Sequence, residues 1–166
     1  MGEKWVINSS LDFEYKRVFK ERARAFLKIQ DGCDSFCSYC IVPYVRGLPK
    51  SMSREIVLKN LENLNDEREV VLTGIHLGKW GIDRGDNLKN LLQEISRKKF
   101  NFRLRLSSLE PLEIDKELLN ILKNMENFCP HFHIPLQSGN NRILKLMNRN
   151  YETNFYRDTI DLIRDY

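Results

Sequence analysis

The sequence predicts an α/β fold, a partial parallel (β/α) barrel of about four βα units. Three observations predict it. Short apolar segments alternate with amphipathic helical segments at a spacing of roughly 30 residues. Each strand-like segment runs into a long loop rather than a two-residue hairpin, so successive strands need helical crossovers and run parallel. Hydrophobic residues make up 42% and charged residues 30% of the 166-residue chain, enough to bury a core and unlike a disordered tail.

Taken in order, residues 1–21 are mixed and weakly patterned and read as a leader or interdomain linker. Residues 22–166 read as one core domain. RAFLKIQ (24–30) is the first strand, followed by the cysteine-rich stretch DGCDSFCSYCIVPYVRG (31–47). Ser53 is placed to cap a helix over 54–64, where Val57, Leu61 and Leu64 fall at helical spacing. EVVLTG (69–74) is the second strand and enters the glycine-rich loop IHLGKWGIDRGD (75–86). Asp86 or Asn87 then caps a helix over 87–98, with Leu88, Leu91, Leu92 and Ile95 on one face. FRLRLSS (102–108) is the third strand, and the loop 109–114 leads to a helix near 115–126 carrying Leu118, Leu119, Leu122 and Met125. HFHIPL (131–136) is the fourth strand, its His131 and His133 sharing a face as core or barrel-lining residues. After the turn Gln137-Ser138-Gly139 come helical pieces over 140–148 and, capped by Thr153, over 154–166. The pattern stops inside a helix at Tyr166, so the fourth strand is expected to be an open edge of a larger barrel.

Neither a signal-peptide h-region nor an apolar run of about 18 residues is present, so no membrane partner is expected. The net charge of +4, from 27 basic and 23 acidic residues, leans only weakly toward an anionic partner. The charges lie interspersed on amphipathic helices, with no concentrated basic stripe. Four cysteines without an export signal point to reduced thiols or metal ligands in the cytoplasm. Cys33, Cys37 and Cys40 form C-x3-C-x2-C directly after the first strand. Three thiolates within eight residues can converge on one inorganic centre but are badly placed to pair with one another. A structural zinc site wants four closed ligands. Cys129, beside Pro130, is either a fourth ligand or a buried packing residue. An iron–sulfur cluster with one open iron is the leading reading; a zinc site, as in a non-catalytic zinc-binding module, or coincidence are the alternatives.

C-x3-C-x2-C with Tyr39 before the last cysteine, at the exit of the first strand of a βα repeat, resembles the radical S-adenosylmethionine superfamily. The segments RAFLKIQDGCDSFCSYCIVPYVRG, VVLTGIHLG, RLRLSSLEP and CPHFHIPLQSGNNRILKLMNR together resemble the methylthiotransferases of that superfamily. Within these the resemblance is strongest to enzymes acting on C2 of N6-threonylcarbamoyladenosine at tRNA position 37. Enzymes for isopentenyladenosine tend to carry Gln-Asn where this chain has Ile75 and His76, and T-S-H-P near Ser107–Pro111; they, or another radical enzyme, are the alternative.

The resemblance implies a six-unit barrel of the radical SAM type. It implies a [4Fe–4S] cluster on Cys33, Cys37 and Cys40, whose open iron takes S-adenosylmethionine. A second [4Fe–4S] cluster would belong to an N-terminal domain, and this chain has no cysteine before Cys33. A C-terminal RNA-binding domain, tRNA, and an electron donor such as flavodoxin or ferredoxin are implied as well. Strand exits of a parallel barrel are where ligands bind, so Thr73, Gly74, Ser107, Ser108, Glu110, Gln137 and Ser138, with Tyr39, are expected around S-adenosylmethionine. Arg46, in a Pro-x-x-Arg-Gly segment beginning at Pro43, together with His76 and Arg149, is expected on the substrate side.

Overall fold

The computed structural model describes residues 24–166; the leader assigned to residues 1–21 lies outside the described residues. Strand β1 (Ala25–Asp31) leads through the cysteine loop, which contains a short helix α1 (Val42–Arg46), to a two-residue strand β2 (Lys50–Ser51). Helix α2 (Arg54–Asn63), strand β3 (Glu69–Gly74), helix α3 (Leu88–Arg97) and strand β4 (Arg103–Leu106) follow. Helices α4 (Lys116–Lys123), α5 (Asn141–Leu146) and α6 (Thr153–Asp165) complete the described chain. The sheet order is β2-β1-β3-β4, with β1, β3 and β4 parallel and β2 antiparallel to β1. This is the mixed α/β, mostly parallel architecture of a partial β/α barrel.

Helix starts follow local chemistry. Ser53, Asn87, Asp115 and Asn140 each accept a backbone N–H of the first turn of the helix they precede, satisfying donors that have no partner inside the helix. Packing then follows periodicity. Ala25, Leu27 and Ile29 of β1, Val70 and Leu72 of β3, and Leu104 and Leu106 of β4 are buried against the helices. On α3, Leu88, Leu91, Leu92 and Ile95 are all buried, each contributing about 1.5–3 kcal/mol.

The opposite sheet face is more polar. There Glu69 is ion-paired with Arg24 and Arg105, each at 2.7 Å. One irregularity matters for the site. The β1–β3 register runs Lys28↔Thr73 and then Gln30↔Gly74, so β1 carries an extra residue. Such a bulge re-aims side chains, and Ile29 and Gln30 are consecutively and fully buried.

Two expectations are corrected. Residues 131–136 do not form a strand; the chain there meets the sheet only at the isolated bridge Ser108↔His133, and a second bridge joins Leu104 to Phe128. Pro130 and Pro135 supply no N–H, and the His131 N–H is used locally by the Cys129 carbonyl. His131 and His133 are accordingly exposed rather than lining a core. Thr153 does not cap α6: Glu152 stands at the cap position, and the Thr153 N–H is taken by Asn141 Oδ1 at 2.9 Å.

Candidate functional site

The cysteine loop is closed at its neck. Gly32 has φ +74°, and a Cβ there would lie 2.2 Å from the Leu48 carbonyl oxygen. Only glycine meets both demands. Beside it Cys33 N–H donates to Gly47 O at 3.0 Å, and the Gln30↔Ser51 and Asp31↔Lys50 pairs continue the closure. Gln30, turned inward by the bulge, donates to Asp31 O and Gly32 O at 2.8 Å and accepts the His76 N–H at 2.7 Å. Gly74 makes room for it, since a Cβ there would meet Gln30 at 2.8 Å. The exits of β1 and β3 are thus cross-linked by one buried amide.

The far side of the loop rests on the segment after α5. Asn148 Nδ2 donates to Ser35 O and Phe36 O at 3.3 and 2.9 Å, and Ser38 N–H donates to Met147 O.

The three thiols are half-buried and face different partners. Cys33 Sγ lies 3.3 Å from His76 Nδ1 and 3.4 Å from Ser35 Oγ. Burial pushes this thiol up, but the hydrogen bonds to His76 and Ser35 outweigh it and lower its pKa to about 7. Burial likewise disfavours a charged His76, yet its bonds to Cys33 and Glu113 raise it to about 9. Cys37 Sγ accepts from Arg149 Nη1 at 3.2 Å, and the other end of that guanidinium is ion-paired with Glu110. The Arg149 side chain is only 6% exposed. It lies 5.1 Å from the Tyr151 ring centroid, and its Nε is buried without a partner.

Ser35, Cys37, His76, Glu110, Glu113 and Arg149 line one cavity of about 200 Å³. Among the described residues, no group of three or more His, Cys, Asp or Glu side chains is drawn together around one metal position. The donor set itself suits an iron–sulfur cluster: three thiols in one loop, with hydrogen-bond donors already aimed at two of the sulfurs.

A family model described as the Radical SAM superfamily matches residues 27–166. The chain belongs to the radical SAM superfamily. It is 42% identical over 148 residues to the threonylcarbamoyladenosine tRNA methylthiotransferase MtaB of Aquifex aeolicus, covering 88% of this chain and 36% of that protein. It is 39% identical over 149 residues to the tRNA-2-methylthio-N(6)-dimethylallyladenosine synthase of Natranaerobius thermophilus, covering 87% of this chain and 33% of that one. The chain therefore spans about a third of the length of these relatives. Among solved structures, the radical S-adenosylmethionine methyltransferase TsrM from Kitasatospora setae superposes with a TM-score of 0.69 at 18% identity, covering 85% of this chain and 28% of that one. At that identity the likeness concerns the fold.

The other expected residues of this radical SAM domain lie as follows. Thr73 and Gly74 end β3, half-buried. Ser107 Oγ, just after β4, is buried without a partner, and Ser108 Oγ pairs with His133 Nδ1 at 2.6 Å. Gln137 is exposed in the left-handed region at φ 62°, and Ser138 is half-buried. Tyr39 is 52% exposed. Burial and the neighbouring Cys37 raise its hydroxyl pKa. Arg46 is exposed and 3.3 Å from Asp31. Cys129 is fully buried, and burial and Glu69 hold its thiol pKa up, as suits a packing residue.

The structure adds Gln30, Glu113 and Asn148, which the sequence reading missed. Glu113 has a local sign in its place three residues after Glu110, whose N–H it accepts at 2.9 Å. Gln30 and Asn148 have none: Gln30 is turned inward by a bulge that depends on pairing with β3, and the partners of Asn148 lie 113 and 112 residues away.

Among the described residues no helix is long and apolar enough to cross a membrane.

Proposed function

We propose that this chain is the radical core of a cytoplasmic tRNA methylthiotransferase acting at C2 of N6-threonylcarbamoyladenosine at position 37. The observation that carries the reading is the cavity at the strand exits. It joins Cys37 of the three-cysteine loop to Arg149, Glu110, His76 and Glu113, in a chain whose relatives carry methylthiotransferase names. The near-equal identities of 42% and 39% to enzymes of two different tRNA nucleosides support a second reading, dimethylallyladenosine as substrate.

Cys33, Cys37 and Cys40 would hold a [4Fe–4S] cluster, and the adjoining cavity would take S-adenosylmethionine. Bound there, the two groups supply one-electron reductive cleavage of the sulfonium and so open radical chemistry at the substrate carbon. The protein supplies position and shelter. Gln30 and the Gly32 neck fix the loop against the sheet, and Arg149 neutralises charge at Cys37 while Glu110 holds the guanidinium in place. Ser107 Oγ and Arg149 Nε offer polar atoms with no partner of their own, suited to a polar ligand such as S-adenosylmethionine. Thr73 and Gly74 at the end of β3, Ser108 after β4, Tyr39 in the cysteine loop, and Gln137 and Ser138 after the segment 131–136 are assigned to the same ligand from outside the lining of that cavity. Arg46, exposed at the end of α1 within the cysteine loop, is assigned to the tRNA side. The sulfur to be inserted would come from a second cluster on an N-terminal domain, and the electron from a flavodoxin- or ferredoxin-like protein.

The test is anaerobic reconstitution of the 166-residue chain with iron and sulfide, followed by dithionite and S-adenosylmethionine. The expected results are one four-iron cluster per chain and 5′-deoxyadenosine, both lost when Cys33, Cys37 and Cys40 are all replaced by alanine. Stoichiometric zinc without 5′-deoxyadenosine would instead establish a zinc module. Persistence of the product in the triple variant would overturn the assignment of the three ligands. Mass spectrometry of tRNA hydrolysates from a strain lacking the parent gene distinguishes the two nucleosides.

A further inference from the structure

We propose that His76 is a positioning residue: it holds an N–H donor against the Cys33 sulfur, with Glu113 fixing its ring, and thereby raises the reduction potential of the cluster that Cys33 helps to hold. The inference rests on the reading of the three cysteines given above.

The geometry is a chain of three side chains, with Ser35 Oγ beside it, 3.3 Å from the same His76 Nδ1 and 3.4 Å from Cys33 Sγ. His76 is buried, its Nδ1 3.3 Å from Cys33 Sγ and its Nε2 2.5 Å from Glu113 Oε1. A carboxylate and a ligating thiolate both only accept, so a ring bridging them presents an N–H to each. Every part of the chain is anchored from a different strand exit. The His76 backbone is held by Gln30 at the end of β1. Glu113 is held by the Glu110 N–H after β4, through the oxygen not used by His76. Gly78 completes the fit: a Cβ there would lie 2.1 Å from the Glu113 carboxyl carbon, so a side chain would push the carboxylate out of reach.

An N–H aimed at a ligating sulfur stabilises the more negative, reduced state of a cluster and raises its potential. His76 lines the open cavity as well, so its ring stands between the Cys33 sulfur and the space where a ligand would sit. On this reading His76 serves the metal ligand in addition to lining the cavity on which a substrate-side role was expected.

The test uses the reconstituted 166-residue chain and follows the cluster by EPR during a redox titration. Wild type is compared with His76→Leu, His76→Asn, His76→Gln and Gly78→Ala. Asparagine places an amide N–H where Nδ1 stands, and glutamine places one where Nε2 stands. His76→Leu is expected to shift the reduction equilibrium about tenfold toward the oxidised state, or about 59 mV for a one-electron couple. His76→Asn is expected to restore most of that shift, His76→Gln little of it, and Gly78→Ala to lower the potential in the same direction. A merely bracing histidine would behave the other way, rescued by glutamine and not by asparagine, and that result overturns the inference. So does an unchanged potential in His76→Leu. If the leucine variant fails to fold, the asparagine–glutamine comparison decides alone. A wild-type chain that takes up no iron overturns the cysteine assignment and this inference together. Loaded chains of equal potential overturn only the inference.

Discussion

Replacing Gly32 by alanine is expected to open the neck of the cysteine loop, and its cost can be separated into two parts with an internal control. Gly32 and Gly85 both sit in the left-handed region, at φ +74° and +68°. A left-handed backbone costs an L-residue roughly 1–2 kcal/mol, partly offset because alanine also restricts the unfolded chain. Gly85 has nothing within 4 Å of its added Cβ, so Gly85→Ala reports this conformational cost alone, about 1 kcal/mol. At Gly32 the Cβ would stand 2.2 Å from Leu48 O and 2.8 Å from Gly47 O. Both neighbours are backbone and cannot rotate away. Forcing them apart adds roughly 1–3 kcal/mol, for a total of about 2–4 kcal/mol. With a urea dependence near 2 kcal/mol per molar, the unfolding midpoint falls by about 1–2 M for Gly32→Ala and about 0.5 M for Gly85→Ala. Iron uptake should fall with the former and not with the latter, because Cys33 follows directly on the strained residue. Equal midpoints for the two variants would refute the reasoning, since Leu48 would then not close the neck in solution.

Two further perturbations probe the base and the rear of the site. The Arg105 hydrogen bond holds the Glu69 carboxyl below its ordinary value of 4.5, against an opposing push from burial. A carboxylate depressed in the folded state stabilises fully above pH 4.5 and loses that contribution as pH falls through its lower folded value. Glu69→Gln is therefore expected to cost about 1–3 kcal/mol at pH 7 and less at pH 3, read by thermal unfolding at both. A gap of the same size at pH 3 would show that the ion pairs are not its origin. Asn140→Ala removes the acceptor of the Arg142 and Ile143 N–H groups at the start of α5, at about 1 kcal/mol. Because α5 delivers Met147 and Asn148 to the cysteine loop, hydrogen-exchange protection at the Ser38 amide is expected to drop about fivefold. Unchanged protection there would mean that the loop does not depend on α5.

Much of the scaffold was legible because its signals are local. The apolar faces of α2, α3 and α4 and the caps Ser53 and Asn87 follow from spacing within one or two turns, and all are buried or hydrogen-bonded as read. The residues 131–136 misled because their alternation imitates a strand, whereas pairing is limited to the single position His133. Thr153 misled for a related reason: a hydroxyl favours the cap, but the helix starts one residue earlier, with Glu152 at the cap position and Asn141, twelve residues back, accepting the Thr153 N–H. Strand β2 is two residues long and has no period to detect. Helix α1 carries Pro43 in its first turn, a usable signal that the surrounding cysteine motif obscured.

The candidate site divides along the same line. Its three thiols are encoded within eight residues, but what orients them comes from far away: His76 is 43 positions from Cys33, and Arg149 is 112 from Cys37. The link between the two scales is the β1 bulge between Lys28 and Gln30. A regular strand would alternate faces, placing Ile29 and Gln30 on opposite sides. With the bulge, Gln30 is buried and reaches the carbonyls at the loop neck and the His76 amide at once. A local irregularity thus converts sheet register into loop geometry. Substitutions among the thiols are expected to remove the site. Substitutions at Gln30, Gly78 or Glu113 are expected to leave the thiols present and alter how they are held.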